Sequence, residues 1–362
     1  MAGLYLHIPF CKSRCIYCGF YSTTRLDMRR QYVDAMCQEM EMRPMADIDT
    51  IYLGGGTPSQ LTIAQLEQLF IYINKVYGNG AKEVTIEMNP DDVTVPYAEA
   101  LPRLGVNRVS LGAQTFDDRR LRFIRRRHSA EQVGEAVKVL RDAGIRNISV
   151  DLMFGFPGET VGDWQRDIDA ALALDVEHIS AYCLMIEEDT PLYRMGIEAT
   201  DEDTERQMYE LLIDRLSDAG YEHYEISNFA RPGYNSRHNG SYWADEPYIG
   251  IGAAAHSYDR HRRSWNISNI QQYIEIIKKG KIPCEYEELD ADIHYNDRIT
   301  TALRTNTGID LATLSDIHQK YCLKEAREFI NNGLLKLDNN HLILTRKGLF
   351  ISDYIMSSLM LV

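Results

Sequence analysis

Long apolar runs are missing from this chain. No stretch approaches the roughly 20 consecutive apolar residues of a membrane helix, and the apolar tail "IMSSLMLV" is far too short to span. That tail reads as a last helix packed on its own domain. The opening "MAGLYLHIPF" has neither a basic stretch nor an extended apolar core, so no secretory signal is expected. Basic excess is missing as well. A formal net charge of −14 disfavours broad attraction to phosphate, and nucleic acid is not among the expected partners. Cysteine is sparse, with seven in 362 residues, an odd number at irregular spacing, which excludes a disulfide scaffold. Four of the seven, Cys37, Cys183, Cys284 and Cys322, stand alone and read as small buried residues in a reducing cytoplasm.

What is present is a recurring unit. A short apolar strand runs into a polar or glycine-rich loop, and a helical stretch follows. The strands are "LYLHI" (4–8), "TIYLG" (50–54), "EVTIEM" (83–88), "RVSLGA" (108–113), "ISVDLM" (148–153) and "HISAYCL" (178–184). Helical periodicity lies between them, as in "IAQLEQLFIYINKVY" and in "AEQVGEAVKVLRDAG", whose Gly144 suits a helix C-cap. Six such units predict an α/β fold with a parallel sheet, closed wholly or partly into a barrel, with an open doubly wound sheet as the alternative. Parallel α/β folds gather their sites at the carboxyl ends of the strands. Here those ends carry three cysteines, then "GGGTPS" (54–59), "NP" after Glu87, "QTF" after the fourth strand and "FGFPGET" after Asp151.

Three regions are expected: a core over 1–200, an extension over 201–283 and a C-terminal module over 284–362. The extension shows a helix over 204–219, a strand at 223–230 and a strand or buried loop at 248–258. An acidic linker over 284–296 precedes three helices, a hairpin around Asn339–Asn340 and a last helix. Helices with a hairpin suggest a winged-helix-like module. Residues 290–362 carry eight Lys/Arg against nine Asp/Glu, a balance that favours a lid or partner surface over a DNA reader.

The densest chemistry is "CKSRCIYCGF", with Cys11, Cys15 and Cys18 inside eight positions. A structural zinc site needs a second ligand pair, and none follows. A redox C-x-x-C needs no Cys11. Three thiolates on one loop suit three corners of a [4Fe–4S] cube, leaving one iron open, with zinc and isolated thiols as the alternatives.

The C-x-x-x-C-x-x-C spacing after a first strand resembles the radical S-adenosylmethionine (SAM) enzymes. That resemblance implies a partial (β/α)6 barrel and SAM chelating the open iron through its amino and carboxylate groups. It also implies that Gly55, Gly56 and Thr57 of "GGGTP" contact the methionine part of SAM and that Glu87 accepts from the ribose. Gln114, Arg126 and Asp151 match family positions that contact SAM, and Tyr5 and Tyr17 match positions that flank the cluster and adenine. The other five arginines of "RRLRFIRRRHS" (119–129) read as a solvated helix face.

The ordered set "LYLHIPFCKSRCIYCGF", "GGGTPS", "RVSLGAQTF", "DLMFGFPGET", "YEISNFARPGYNSRHNGSYW" and "GIGAAAHSY" is more specific. It resembles the oxygen-independent coproporphyrinogen III oxidases and their relatives, the HemW-type heme chaperones. Phe20 stands where the oxidase pattern has a further cysteine, only four residues precede Tyr5 where the oxidases carry an arm, and "HNGSYW" (238–243) is similar to the chaperones' H-N-x-x-Y-W. The chaperone branch implies heme as cargo, a membrane hemoprotein as acceptor, an electron donor and a cytoplasmic protein that meets the membrane through a partner. His238, Tyr242 and Trp243 become candidate heme contacts. A structural turn with a packed aromatic explains the same six residues, and His256 of "AAHSY" competes as iron ligand. The alternative function is the oxidase reaction, SAM-dependent oxidative decarboxylation of two propionates of coproporphyrinogen III to vinyl groups.

Overall fold

A computed structural model describes residues 2–361. Its centre is six strands: β1 (Ala2–Ile8), β2 (Ile48–Gly55), β3 (Glu83–Met88), β4 (Arg108–Gln114), β5 (Asn147–Phe154) and β6 (His178–Cys183). Each pairs in parallel with the next. The spatial order follows the chain without reversal. A doubly wound sheet requires a reversal, so the barrel expectation holds and the doubly wound alternative fails. The barrel is partial. Two wings extend the sheet to twelve strands, and its two end strands do not pair with each other.

The outer helices begin where short polar side chains cap them. Thr62 with Gln65, Ser129 with Gln132 and Thr160 with Asp163 form reciprocal capping boxes at helices Ile63–Tyr77, Ala130–Asp142 and Val161–Ala173. Helix Ala130–Asp142 ends as expected. Gly144 adopts φ +96°, and the Ile145 N–H reaches back to the Leu140 carbonyl at 3.0 Å.

The strands are two-faced. Leu4, Leu6, Ile8, Val109, Leu111 and Ile148 are fully buried against the outer helices. The alternate positions are polar: Tyr5 pairs in register with Tyr52, Tyr52 with Thr85, Thr85 with Arg108, and Glu87 with Ser110. Parallel strands covered on both faces normally read as continuous apolar runs. A polar inner face marks a lumen built to hold something other than core.

One wing is β7 (Glu222–Glu225) and β8 (Asn228–Ala230), the latter antiparallel to β6. The other is β9 (Tyr248–Ile251), parallel to β1, then β10 (His256–Tyr258), β11 (Arg262–Asn266) and β12 (Cys284–Glu288). β12 corrects the expected acidic linker. An edge strand can be acidic when its neighbour supplies the opposite charge, as Arg263 does to Glu287 at 2.7 Å. Cys284 on β12 is exposed and Cys183 half-buried, so only Cys37 and Cys322 of the single cysteines are core residues.

After β12 come helices Ala291–Ala302 and Asp316–Asn331, with one 3₁₀ turn between them where a third helix was expected. β14 (Leu335–Asp338) and β15 (His341–Leu344) form the predicted hairpin. Asn339 and Asn340 both take positive φ, +46° and +68°, as a two-residue hairpin turn requires. A short β13 (Ile309–Asp310) joins them. The last helix, Ser352–Leu359, buries Ile355, Met356 and Leu359 in a separate core with Tyr295 and Leu342. Arg304 ties this region to the sheet. Its guanidinium meets the fully buried Glu225 carboxylate at 2.7 Å.

Candidate functional site

The carboxyl ends of β1 to β6 bring the predicted residues together. The cysteine loop leaves β1 and folds onto the segment after β6: the Leu192 N–H donates to the Ile16 carbonyl at 2.9 Å, and both side chains are buried in a local apolar cluster. Cys11, Cys15 and Cys18 are free thiols, Cys11 buried and the other two half-buried. Cys11 Sγ lies 3.5 Å from Thr57 Oγ1. Burial pushes the Cys11 thiol up, and burial does the same for Cys18, with the charges of Cys15 and Cys11 adding to it. Metal ligation offsets that cost by holding the thiolate form. Among the described residues no three His, Cys, Asp or Glu side chains converge where one ion could sit. Each thiolate of a cubane takes its own iron corner. Three thiols on one loop suit three corners of a [4Fe–4S] cluster, which when bound would supply an open iron and one-electron chemistry.

The glycine run after β2 is shaped by the chain's own packing. Gly55 has φ +108°, and a Cβ there would lie 2.6 Å from the His7 ring; one on Gly56 would lie 2.7 Å from the Pro9 carbonyl carbon. The Gly55 N–H donates to Glu87 Oε2 at 3.2 Å, and Tyr52 OH donates to Glu87 Oε1 at 2.7 Å. Burial pushes the Glu87 carboxyl up to about 7 despite these two donors. Asp151 accepts from Ser110 Oγ at 3.0 Å, and burial raises its pKa too.

Arg126 donates to Asn89 Oδ1 and, at 3.2 Å, to Tyr17 OH. Burial works against its charge, yet Tyr17 and Cys15 outweigh that, and the net pKa is raised. Its buried Nε has no partner among the described residues. Gln114 is held at φ +69°, a strained value for a non-glycine residue. An ideal Cβ on Gly112 would meet Gln114 Nε2 at 3.0 Å and an Arg126 nitrogen at 3.2 Å, so these groups crowd one rim of the lumen. Tyr5 OH contacts His7 Nδ1 at 3.1 Å, and the Tyr5 ring stacks on Tyr52 at 6.2 Å. Two buried carboxylates, an arginine with an unused N–H and three thiols at one mouth fit a cationic sulfonium carrying hydroxyl donors.

The arginine run needs one correction. Arg119, Arg122 and Arg125 are exposed as expected. Arg120 pairs with Glu159 at 3.3 Å, and Arg127 with Asp91 at 2.7 Å. These two are fastened into the structure and are not part of a solvated face.

"HNGSYW" lies elsewhere, as helix Arg237–Trp243 beneath the lumen. His238 is fully buried. Its Nδ1 meets Thr50 Oγ1 and its Nε2 meets Tyr242 OH, both at 2.8 Å, and its ring stacks on Tyr52 at 5.0 Å. The Glu83 carboxylate accepts the backbone N–H of Arg237 at 3.0 Å and of His238 at 2.9 Å. Burial lowers the His238 pKa to about 3. No ring nitrogen is left for an iron in this arrangement. His238 and Tyr242 plug the lumen, Trp243 packs beside Tyr224 with centroids 6.2 Å apart, and the structural alternative describes them.

Three contributors escaped the sequence reading: Tyr52, Ser110 and His7. Tyr52 and Ser110 lie two positions before Gly54 and Gly112, on the same strand face. The polar alternation along a parallel strand was the signal that could have found them.

Comparison with known proteins follows the same lines. Residues 5–171 match the Radical SAM superfamily and residues 289–351 the HemN C-terminal domain. The chain is 33% identical to the heme chaperone HemW of Bacillus subtilis over 98% of its own length and 97% of the relative's. It is 33% identical to HemW of Mycobacterium tuberculosis over 99% and 94% of the two chains. The mitochondrial radical S-adenosyl methionine domain-containing protein 1 of Bos taurus is 30% identical over 99% and 87%. Among solved structures, coproporphyrinogen III oxidase (HemN) of Escherichia coli superposes with a TM-score of 0.86 at 21% identity, covering 99% of this chain and 89% of that one, a likeness of fold.

Proposed function

Because the chain belongs to the HemW family within the radical SAM superfamily, we propose that it is a heme chaperone, binding heme and passing it to a membrane hemoprotein. The family implies a [4Fe–4S] cluster and SAM. In our reading Cys11, Cys15 and Cys18 hold the cluster. Gly55, Gly56 and Thr57 meet the methionine part of SAM, while Glu87, Gln114, Arg126 and Asp151 hold the rest, with Tyr5 and Tyr17 alongside. An electron donor serves the cluster. No helix of the described residues is long and apolar enough to cross a membrane, so delivery to a membrane acceptor goes through contact with a partner.

The observation that carries this reading is the match to proteins named heme chaperone over nearly the whole of both chains. The test uses one anaerobically reconstituted preparation in two assays. Hemin titration is expected to produce a shifted Soret band with saturable stoichiometry. Incubation with coproporphyrinogen III, SAM and a reductant is expected to leave the substrate unchanged. Protoporphyrinogen formed at steady turnover, with no hemin binding, would replace the chaperone by the oxidase.

A further inference from the structure

We propose that His256 is the ligand to heme iron, and that the inner face of the β9–β12 wing beside the lumen is where the macrocycle docks. This rests on the chaperone reading and locates its cargo site. Ten histidines are available. Of these, only His256 and His261 are exposed with no hydrogen bond or ion pair to the ring among the described residues. The others are occupied: His7 by Tyr5 and the Tyr21 carbonyl, His178 by Ser149 and Tyr224, His238 by Thr50 and Tyr242. His128 and His223 bond backbone carbonyls, His294 meets Asp245, His318 meets Asp292 and His341 meets the Thr307 carbonyl. A heme iron needs a neutral imidazole nitrogen that nothing else holds.

His261 lies between β10 and β11, away from the carboxyl ends where the site gathers. His256 opens β10 directly after β9 has delivered the chain to that end. Its ring faces Trp265 across the β10–β11 pair, with centroids 6.2 Å apart, so an aromatic surface for a macrocycle lies next to the imidazole. β9 continues the inner face: Tyr5 pairs in register with Gly250. A Cβ on Gly250 would come within 2.0 Å of the His256 carbonyl oxygen, so the glycine is what lets β10 cross this close to β9. Tyr258 pairs in register with Tyr248, two positions before Gly250, so His256, two positions before Tyr258, falls on the same inward face as Gly250 and Tyr5.

The turn that presents His256 is built rigidly. Ala254 is held at φ +62°. The Ala253 N–H donates to Tyr32 OH at 2.8 Å, and Tyr32 OH donates to the His7 carbonyl at 2.8 Å. The Gly252 N–H donates to Glu39 at 2.8 Å, and Asn266 Nδ2 donates to both Glu39 and the Gly252 carbonyl. Strain held by a buried hydrogen-bonded network, in which Asn266 Oδ1 alone lacks a partner among the described residues, ending in an exposed imidazole with no hydrogen bond among those residues, is the construction of a ligand-binding position.

The experiment compares hemin titrations of the full chain and its His256→Ala and His261→Ala variants. Retention of the cluster absorbance and of the far-UV spectrum shows that each variant has folded. The expected result is a saturable Soret shift for the wild type and for His261→Ala. His256→Ala should bind hemin at least about 10-fold more weakly, since loss of even an outer-shell partner of a metal ligand costs about that much, and added imidazole should restore the wild-type Soret position. Wild-type affinity and spectrum in folded His256→Ala overturn this assignment while leaving the chaperone reading intact. Absence of hemin binding by the wild type overturns the chaperone reading and the assignment together.

Discussion

Replacing Glu39 by alanine probes the scaffold beneath that turn. Glu39 sits on helix Arg29–Met42 with a side chain fully withdrawn from water. Its two oxygens receive four donors: Arg43 at 3.3 Å and Asn266 at 2.7 Å on one, Gly252 N–H at 2.8 Å and Tyr273 OH at 2.6 Å on the other. A hydrogen bond to a charged acceptor contributes about 1.5–3 kcal/mol, and bonds sharing one carboxylate are not additive. Alanine leaves a guanidinium and three neutral donors facing an apolar hole. Arg43 keeps the Gly250 carbonyl at 3.0 Å and Ser257 Oγ at 2.9 Å, so its loss is partial. Removing one member of a buried pair costs about 3–5 kcal/mol, and we expect Glu39→Ala to fall there. At roughly 2–4 °C per kcal/mol for a large cooperative unit, thermal unfolding followed by circular dichroism should fall by on the order of 10 °C. Glu39→Gln keeps one acceptor and should lose about half as much. A midpoint within about 1 °C of wild type for Glu39→Ala would refute the claim that this carboxylate organises the wing.

Each of Cys11→Ala, Cys15→Ala and Cys18→Ala should remove the broad iron–sulfur absorption near roughly 400 nm from reconstituted protein, whereas Cys37→Ala, on a buried helix face, should retain it. Glu87 gives a pH test. Its folded pKa of about 7 lies above the ordinary 4.5, so its contribution to stability is present below 4.5 and is lost as the pH rises through about 7. With Glu87 as the proposed ribose acceptor, SAM binding would run the other way, because ribose hydroxyls would donate to the ionised carboxylate. Calorimetric SAM affinity should rise by up to about tenfold per pH unit on approaching pH 7 from below, and Glu87→Gln should flatten the profile. A wild-type profile already flat across that range would count against Glu87 as the ribose acceptor.

The sheet and the placement of its loops were legible because apolar alternation and glycine-rich turns are local signals. Gly144 and the Asn339–Asn340 hairpin were read correctly for the same reason. Long-range partnerships were not legible. Glu39 meets Asn266 from 227 positions away, and nothing around either residue announces it. β12 looked like a linker because edge-strand pairing depends on Arg262 and Arg263 in the strand beside it. His238 and His256 could not be ranked from sequence, since both stand in glycine- or alanine-rich aromatic segments. Burial and hydrogen bonding separate them, and both are properties of the folded neighbourhood.

The alternation of the central strands divides labour within single residues' reach. Leu6 and Val109 carry cohesion outward to the helices, while Tyr5 and Arg108, one step along, look inward and give up that benefit. Tolerance to substitution should therefore oscillate with a period of two along each strand: apolar swaps of similar volume accepted outside, and even gentle changes inside felt first as lost binding. Packing the lumen with aliphatic side chains would raise the melting point of a barrel that no longer holds anything.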